Sequence, residues 1–139
     1  MAAEQIVVET DVPVTQAEAW DAYTDPERIR QWNFASDDWH CPAAVVDLRE
    51  GGHFSSRMEA KDGSMGFDFA GTYTNLVPHE RIEYEFGGRR ASIRFTPHGD
   101  RTHVRVAFDP ETEHSLDQQR SGWQAILDNF GRHLGAAGA

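Results

Sequence analysis

The chain has 139 residues, of which 39% are hydrophobic and 26% are charged, and this composition excludes a disordered or fibrous protein. Its length predicts one domain that spans residues 1–139. The formal net charge of −10 gives the chain no general attraction for phosphate backbones or anionic lipid, so we expect binding neither to nucleic acid nor to a membrane surface.

The cellular compartment is indicated by the cysteine content and by the start of the chain. Cys41 is the only cysteine, so no intramolecular disulfide can form and a reducing compartment is favoured. The segment MAAEQIVVETDV lacks the basic start and apolar run of a secretory signal. No apolar stretch approaches the roughly 20 residues that a membrane helix needs. We therefore expect a cytoplasmic protein without membrane insertion, as a monomer or a homodimer.

A strand and two short helices are predicted at the start of the chain. Residues 4–10 are rich in β-branched side chains, which are typical of a strand. Thr15 and Glu18 have the spacing of a capping box, which predicts that a helix begins after Thr15. Pro26 follows an aspartate that can act as an N-cap, and this pair favours a second short helix that ends near Gln31.

The middle of the chain is predicted to form six strands joined by turns rich in glycine, aspartate and proline. Apolar and polar side chains alternate in several of these strands, as in a sheet with one covered and one solvated face. Because the connections are short, successive strands must be antiparallel neighbours. The predicted strands span residues 43–49, 53–60, 65–76, 81–86, 89–96 and 102–108.

A long helix is predicted at the end of the chain. Ser115 and Gln118 form a second capping box, and an apolar stripe that includes Trp123, next to Gly122, continues to about Leu134. The helix and the sheet each have one apolar face, and each is the only large cover available to the other. We therefore expect an α+β fold in which a curved antiparallel sheet of six to seven strands wraps around this helix. Such a sheet can enclose a small ligand.

Several motifs along the chain occur in the order that is found in a known superfamily. They are residues 14–20, Asp25-Pro26 with Trp32, residues 47–54 with Met58, Gly71-Thr72-Tyr73, residues 78–82, and Gly122-Trp123. Their order resembles the START-like, or SRPBCC, superfamily, whose helix-grip fold includes the major birch-pollen-allergen type. More closely, it resembles the group named after the C-terminal domain of the heat-shock-protein-90 ATPase activator.

The resemblance implies a deep cavity between the sheet and the last helix, often for lipid-like, polyketide-like or aromatic ligands. Some members of the superfamily are cyclases or hydrolases, and others are binding proteins. The namesake activator binds a chaperone, but it does so with an additional N-terminal domain for which this chain has no room.

Candidate ligand-binding residues lie on the sheet, on the last helix and in the loop after the second short helix. From the pattern alone, aromatic residues at strand spacing are more typical of a solid core, whereas the resemblance favours a cavity wall. Trp32, Phe34, Trp39 and His40 are predicted to form a lid, with a small apolar cluster under the loop as the alternative. The candidate set is Trp32, Trp39, His40, Met58, Phe67, Phe69, Tyr73, Tyr84, Phe95, Trp123 and Leu127.

The sequence shows no motif that points to catalysis by itself. None of the seven histidines has metal-ligand spacing with another histidine or with the lone cysteine, so we expect neither a metal nor another cofactor. The strand serines lack the sharp turn that surrounds a nucleophile. His40, Tyr73 and Tyr84 are the candidates for an acid or base in the cavity.

These observations predict a protein that binds a hydrophobic small molecule, which is aromatic, lipid-like or polyketide-like. Two alternatives remain open at this point. One is a cyclase- or hydrolase-type enzyme that acts on such a molecule, which the residues favour less than binding. The other is an interaction module of the chaperone-activator kind, with a role in stress response, whose surface would expose a contiguous apolar patch.

Overall fold

A curled antiparallel sheet of seven strands, in the order β1-β7-β6-β5-β4-β3-β2, wraps around a long C-terminal helix in the computed structural model, which describes residues 5–138. The predicted fold class is therefore confirmed. The elements are β1 (Ile6–Val12), α1 (Gln16–Thr24), α2 (Pro26–Ile29), β2 (Trp39–Val46), β3 (His53–Ala60), β4 (Gly66–Val77), β5 (Arg81–Phe86), β6 (Arg89–His98), β7 (Arg101–Phe108) and α3 (Leu116–Gly138).

The largest difference from the predicted strands lies in β2, at one edge of the sheet. This strand begins at Trp39 and ends at Val46, whereas the sequence predicted residues 43–49. The pairing of β2 with β3 shifts between His40 and Ala43, which is a bulge that the alternation of residue types does not show. The predicted start of the first strand at Glu4 lies outside the described residues.

In both predicted capping boxes, the first residue caps its helix as expected. Thr15 accepts a hydrogen bond from the backbone of Glu18 at 3.3 Å, while the Glu18 carboxylate pairs with Arg28 instead of returning to the cap. At α3 the capping box is complete: the Gln118 backbone donates to Ser115 Oγ, and the Ser115 backbone donates to Gln118 Oε1, both at 3.1 Å. No helix within residues 5–138 is both long and apolar enough to cross a membrane.

Gly122 lies within α3, where glycine is about 1 kcal/mol less favourable than alanine. A Cβ atom added at this position would meet no atom within 4 Å, so no close approach requires the glycine. We expect Gly122→Ala to raise the free energy of unfolding by about 0.5–1 kcal/mol, measured by urea denaturation. Gly131→Ala is the comparison, with a smaller gain expected because its Cβ would lie 3.4 Å from Thr10 Oγ1. A loss of stability at Gly122 would contradict this reasoning.

His103 lies on the outer face of the sheet between two carboxylates. Its Nε2 atom is 2.9 Å from Glu9 Oε1, and its Nδ1 atom is 2.7 Å from Asp11 Oδ1. The hydrogen bonds to Glu9 and Asp11 raise the pKa of His103 above its usual value. The same contact lowers the pKa of Asp11, so this carboxylate stays charged to a lower pH than an ordinary aspartate.

We expect this cluster to make part of the stability depend on pH. Because the pKa of His103 is raised in the folded state, its protonated ring stabilises the fold. This contribution to stability is complete below the pKa of the unfolded state, about 6.5, and is lost as the pH rises through the pKa of the folded state. His103→Gln should therefore destabilise the protein more at about pH 6 than at about pH 9. Thermal unfolding at both pH values measures the difference. His53→Gln is the control, since that ring contacts the Thr72 hydroxyl instead of a carboxylate. The prediction would be refuted if the His103→Gln protein lost the same stability at both pH values.

Candidate ligand-binding cavity

A cavity of about 260 Å³ lies between α3 and the concave face of the sheet. All seven strands, the two short helices and α3 contribute to its wall. Eight of the residues predicted from the sequence line it together: Trp32, Met58, Phe67, Phe69, Tyr73, Tyr84, Trp123 and Leu127.

Trp123 joins α3 to the sheet at one end of the cavity. Its indole stacks on the Phe108 ring, with the ring centroids 3.9 Å apart and the planes at 11°. The indole also makes an edge contact with Phe69 and a tilted contact with Phe86, at centroid distances of 5.9 Å and 5.7 Å. Because these contacts fix the indole, Trp123 both packs the helix onto the sheet and forms part of the wall.

Trp32 closes the opposite end, where α1, α2 and α3 meet. It is 3% exposed, and its indole nitrogen donates to the Ala22 carbonyl at 3.0 Å. The ring lies 4.9 Å from Phe130 and 5.0 Å from Tyr23, centroid to centroid. Since the polar atom is satisfied and the ring is held by two aromatic neighbours, Trp32 is a fixed part of the wall.

Three tyrosine hydroxyls are the main polar groups of the wall. Within residues 5–138, the hydroxyls of Tyr23, Tyr73 and Tyr84 have no hydrogen-bond partner, whereas every fully enclosed side-chain nitrogen or oxygen atom there has one. These three oxygens must therefore border open space. Burial raises the pKa of Tyr73 to about 12, and it also raises the pKa of Tyr23 and of Tyr84. All three are protonated at neutral pH and can each donate a hydrogen bond.

Among residues 5–138, Arg89 is the only charged residue that lines the wall, and no carboxylate or imidazole of these residues lines it. Its guanidinium lies over the Phe86 ring, 4.4 Å from the centroid. The two residues are opposite each other in the β5–β6 pair, so both side chains are on the concave face. The wall is thus apolar, with hydroxyl donors and one positive charge.

The structure does not bring the other three predicted residues to the wall. His40 is opposite Glu59 across the β2–β3 pair, and its Nε2 atom is 3.8 Å from Glu59 Oε1. Trp39, half-buried, contacts Phe67 at the edge of the sheet, with the ring centroids 6.1 Å apart. Phe95 does face inward, but it is 2% exposed and packs beneath α1 against Trp20, with a centroid distance of 5.9 Å.

Other residues of the wall were not predicted. Phe54 and Ser56 lie on the same face of β3 as Met58, and Arg89 lies on the same face of β6 as Ala91. The alternation of residues along a strand therefore indicates that they face the cavity. The positions from α1, α2 and the following loop carry no such signal, because their place depends on how the helices pack. The unpredicted residues are Val8, Tyr23, Ile29, Asn33, Val46, Phe54, Ser56, Ile82, Arg89, Val106 and Ile126.

One cluster of potential metal ligands occurs among the described residues, and it lies outside this wall. Glu111, Glu113 and His114 place their ligand atoms within 4.8 Å of one another before α3. Glu111 Oε2 lies 2.9 Å from His114 Nδ1, and this contact raises the pKa of His114 and lowers that of Glu111. An ion pair between Glu111 and His114 therefore explains why these two side chains lie close together.

A curled antiparallel sheet that holds a long C-terminal helix on its concave face defines a helix-grip protein of the START-like superfamily. The model of the family described as Activator of Hsp90 ATPase homolog 1-like protein matches residues 13–135. The chain belongs to this family, and the resemblance predicted from the sequence motifs is confirmed. Membership supports a ligand-binding domain in general terms.

Solved structures from several bacteria are similar to this chain. The AHSA1-like protein from Aeromonas hydrophila is 43% identical with a TM-score of 0.91, and the match covers 96% of this chain and 94% of that one. A protein from Cytophaga hutchinsonii is also 43% identical, with a TM-score of 0.81 and coverages of 94% and 92%. A protein from Chromobacterium violaceum, 21% identical with a TM-score of 0.84 over 95% and 98% of the two chains, shares the fold. No curated protein sequence matches the chain significantly.

Proposed function

We propose that the protein binds a compact hydrophobic molecule, aromatic, polyketide-like or lipid-like, in the cavity beneath α3. The observation that carries the proposal is a largely apolar, aromatic-rich wall that includes three tyrosines whose hydroxyls have no hydrogen-bond partner within residues 5–138. Binding sites for small molecules are mostly apolar, with a few placed polar groups that fix orientation. The volume of about 260 Å³ lies just below the usual range of about 300–1,000 Å³, which favours a ligand of one or two rings or a short chain.

The three tyrosines also indicate which polar groups the ligand carries. A hydroxyl left without a partner in an apolar space is unfavourable by about 1–3 kcal/mol, and water or a ligand oxygen removes this penalty. Because burial raises the pKa of all three hydroxyls, each stays protonated and can donate a hydrogen bond to the ligand. A ligand with carbonyl, carboxylate or phenolic oxygens on an apolar body would satisfy them.

The same groups give less support to the cyclase or hydrolase alternative. A general acid or base works best when its pKa lies near the working pH, whereas burial moves the tyrosine pKa values away from neutrality. His40, the other candidate, pairs with Glu59 outside the wall. Mass spectrometry of a bound compound after prolonged incubation distinguishes the two functions: an unchanged mass supports binding, and a new product supports catalysis.

Contact with a chaperone is the second candidate, and it rests on the family description, whereas the large exposed apolar side chains do not lie in one segment of the chain. These side chains are spread over the end of β2, the turn between β3 and β4, and the start of α3. Retention on immobilised Hsp90, compared with and without nucleotide, tests it, and no retention under either condition counts against it. The large exposed apolar residues are Val45, Leu48, Met65, Phe67 and Leu116.

A thermal-shift screen tests the proposed function. The compounds are short and long fatty acids, flavonoids, small polyketides and bicyclic aromatics such as naphthalene-2-carboxylate. A ligand that binds only the folded state raises the melting temperature with concentration, and a compound at 100 times its Kd adds about 2.7 kcal/mol. Quenching of tryptophan fluorescence should accompany binding, because Trp32 and Trp123 are in the wall. If no compound raised the melting temperature, the proposal would be abandoned.

A further inference from the structure

Arg89 lies on the concave face of the sheet and forms no ion pair with a carboxylate among residues 5–138. It opens β6 directly after the turn from β5, and it shares the concave face with Ala91. Its Nη1 atom donates to the backbone carbonyl of Asp109 at 3.3 Å, and its guanidinium lies over Phe86. Within residues 5–138 no carboxylate lies within 4.0 Å of this guanidinium, whereas the neighbouring Arg90 pairs with Glu85 at 3.6 Å. Arg89 therefore presents an unpaired positive charge to the cavity.

The surroundings of Arg89 leave its positive charge without a counter-ion and favour the binding of an anion beside it. The chain has 23 acidic and 13 basic residues, yet the only charge that the described residues bring to the wall is this positive one. A partly buried charge is unfavourable unless it is paired. Glu111 is close enough for Arg89 to help lower its pKa, but the Glu111 carboxylate is bonded to His114. No group of the wall neutralises the guanidinium, so a negative group on a ligand would be its counter-ion.

We propose that Arg89 receives a carboxylate or a similar anionic group of the ligand, so that the cavity selects apolar acids over their neutral and cationic counterparts. This inference rests on the proposed function and specifies the chemical class of its ligand. Arginine offers a planar set of donors that matches two carboxylate oxygens, and such charge-assisted bonds are among the stronger ones in proteins. The apolar body of the acid would lie along Trp123 and Leu127, with its other oxygens toward the tyrosines.

Three probes of the same size test the inference on the full chain. They are naphthalene-2-carboxylate, naphthalene-2-carboxamide and 2-naphthylmethylammonium, which present an anion, a neutral amide and a cation on one ring system. We expect the carboxylate to bind at least about tenfold more tightly than the amide, and the cation to bind most weakly, as measured by calorimetry at neutral pH. Equal affinity for the carboxylate and the amide would overturn the inference and leave the proposed function intact.

Two substitutions of adjacent residues assign the preference to one side chain. Arg89→Gln should reduce the affinity for the carboxylate to that for the amide, while Arg90→Gln on the outer face should change neither. The affinity of the Arg89→Gln protein for the amide is the control for an intact cavity. A parallel loss for both probes would mean that Arg89 supports the cavity without recognising charge, and would overturn the inference. A carboxylate preference that survives Arg89→Gln would overturn it too. If the unaltered protein bound none of the three probes, the inference would be overturned, whereas the proposed function would fail only if the wider thermal-shift screen also found no ligand.

Discussion

Replacing Phe130 by alanine is expected to lower the free energy of unfolding by about 3–5 kcal/mol, the largest effect on stability that we predict for one substitution. Phe130 is 0% exposed and packs between Trp32 and Tyr23, at centroid distances of 4.9 Å and 5.2 Å. It holds α3 against α1 and against the segment after α2. Removing its ring leaves an internal space that three well-packed elements cannot easily close. Since domains are stable by about 5–15 kcal/mol, much of the total would be lost.

Guanidinium denaturation followed by far-UV circular dichroism measures this loss. Because we propose that residues 1–139 form one domain, both proteins should unfold in a single transition. Phe67→Ala is the matched control, since Phe67 is 48% exposed at the cavity wall and should contribute far less to stability. A loss at Phe130 that is no larger than the loss at Phe67 would show that α3 is not packed as the structure has it.

Replacing Ser56 by phenylalanine is expected to abolish ligand binding without lowering stability. Ser56 is 4% exposed, lies on the concave face and lines the cavity with one of its smallest side chains. A phenyl ring at this position would occupy the space that we assign to the ligand. In a filled interior the same substitution would be destabilising, by about 1–3 kcal/mol, because it forces neighbours from their preferred rotamers. The sign of the stability change therefore reports whether the space is open.

The control for this substitution is Ser55→Phe, one residue earlier in β3. Adjacent strand residues point to opposite faces, so this ring would lie on the outer side of the sheet and should leave the affinity for naphthalene-2-carboxylate unchanged. We expect the Ser56→Phe protein to lose binding by at least about a hundredfold, since the loss of most apolar contact area removes several kcal/mol. Strong destabilisation of Ser56→Phe with binding retained would contradict the assignment.

The face of the sheet on which a residue lies could be predicted well, because alternation reports the two faces of a strand. The alternation predicts Met58 and Tyr84 on the covered face, Phe69 is expected to face the helix, and all three line the cavity. The same pattern could not tell how far along the concave face a residue lies. Phe95 faces inward as predicted, but it is covered by α1, because the packing of Trp20 and Tyr23 decides which part of the face is filled.

Two other features could not be read from residue types. The bulge in β2 changes the face of the residues before it, so His40 lies opposite Glu59 on the outer side. Tyr23 reaches the cavity from α1 because that helix packs across the end of the sheet, a long-range arrangement that a helical stripe does not specify. Arg89 shows a different limit: residue type argues against a charged side chain on a covered face, although the position of Arg89 in the alternation indicates one.

Intermolecular NOEs in the complex with naphthalene-2-carboxylate test most directly whether the space under α3 is the binding site. The account predicts cross peaks from the ring protons to the methyl groups of Met58 and Leu127 and to the aromatic protons of Trp123. Cross peaks confined to exposed side chains such as Val45 or Met65, with none to these wall residues, would contradict it.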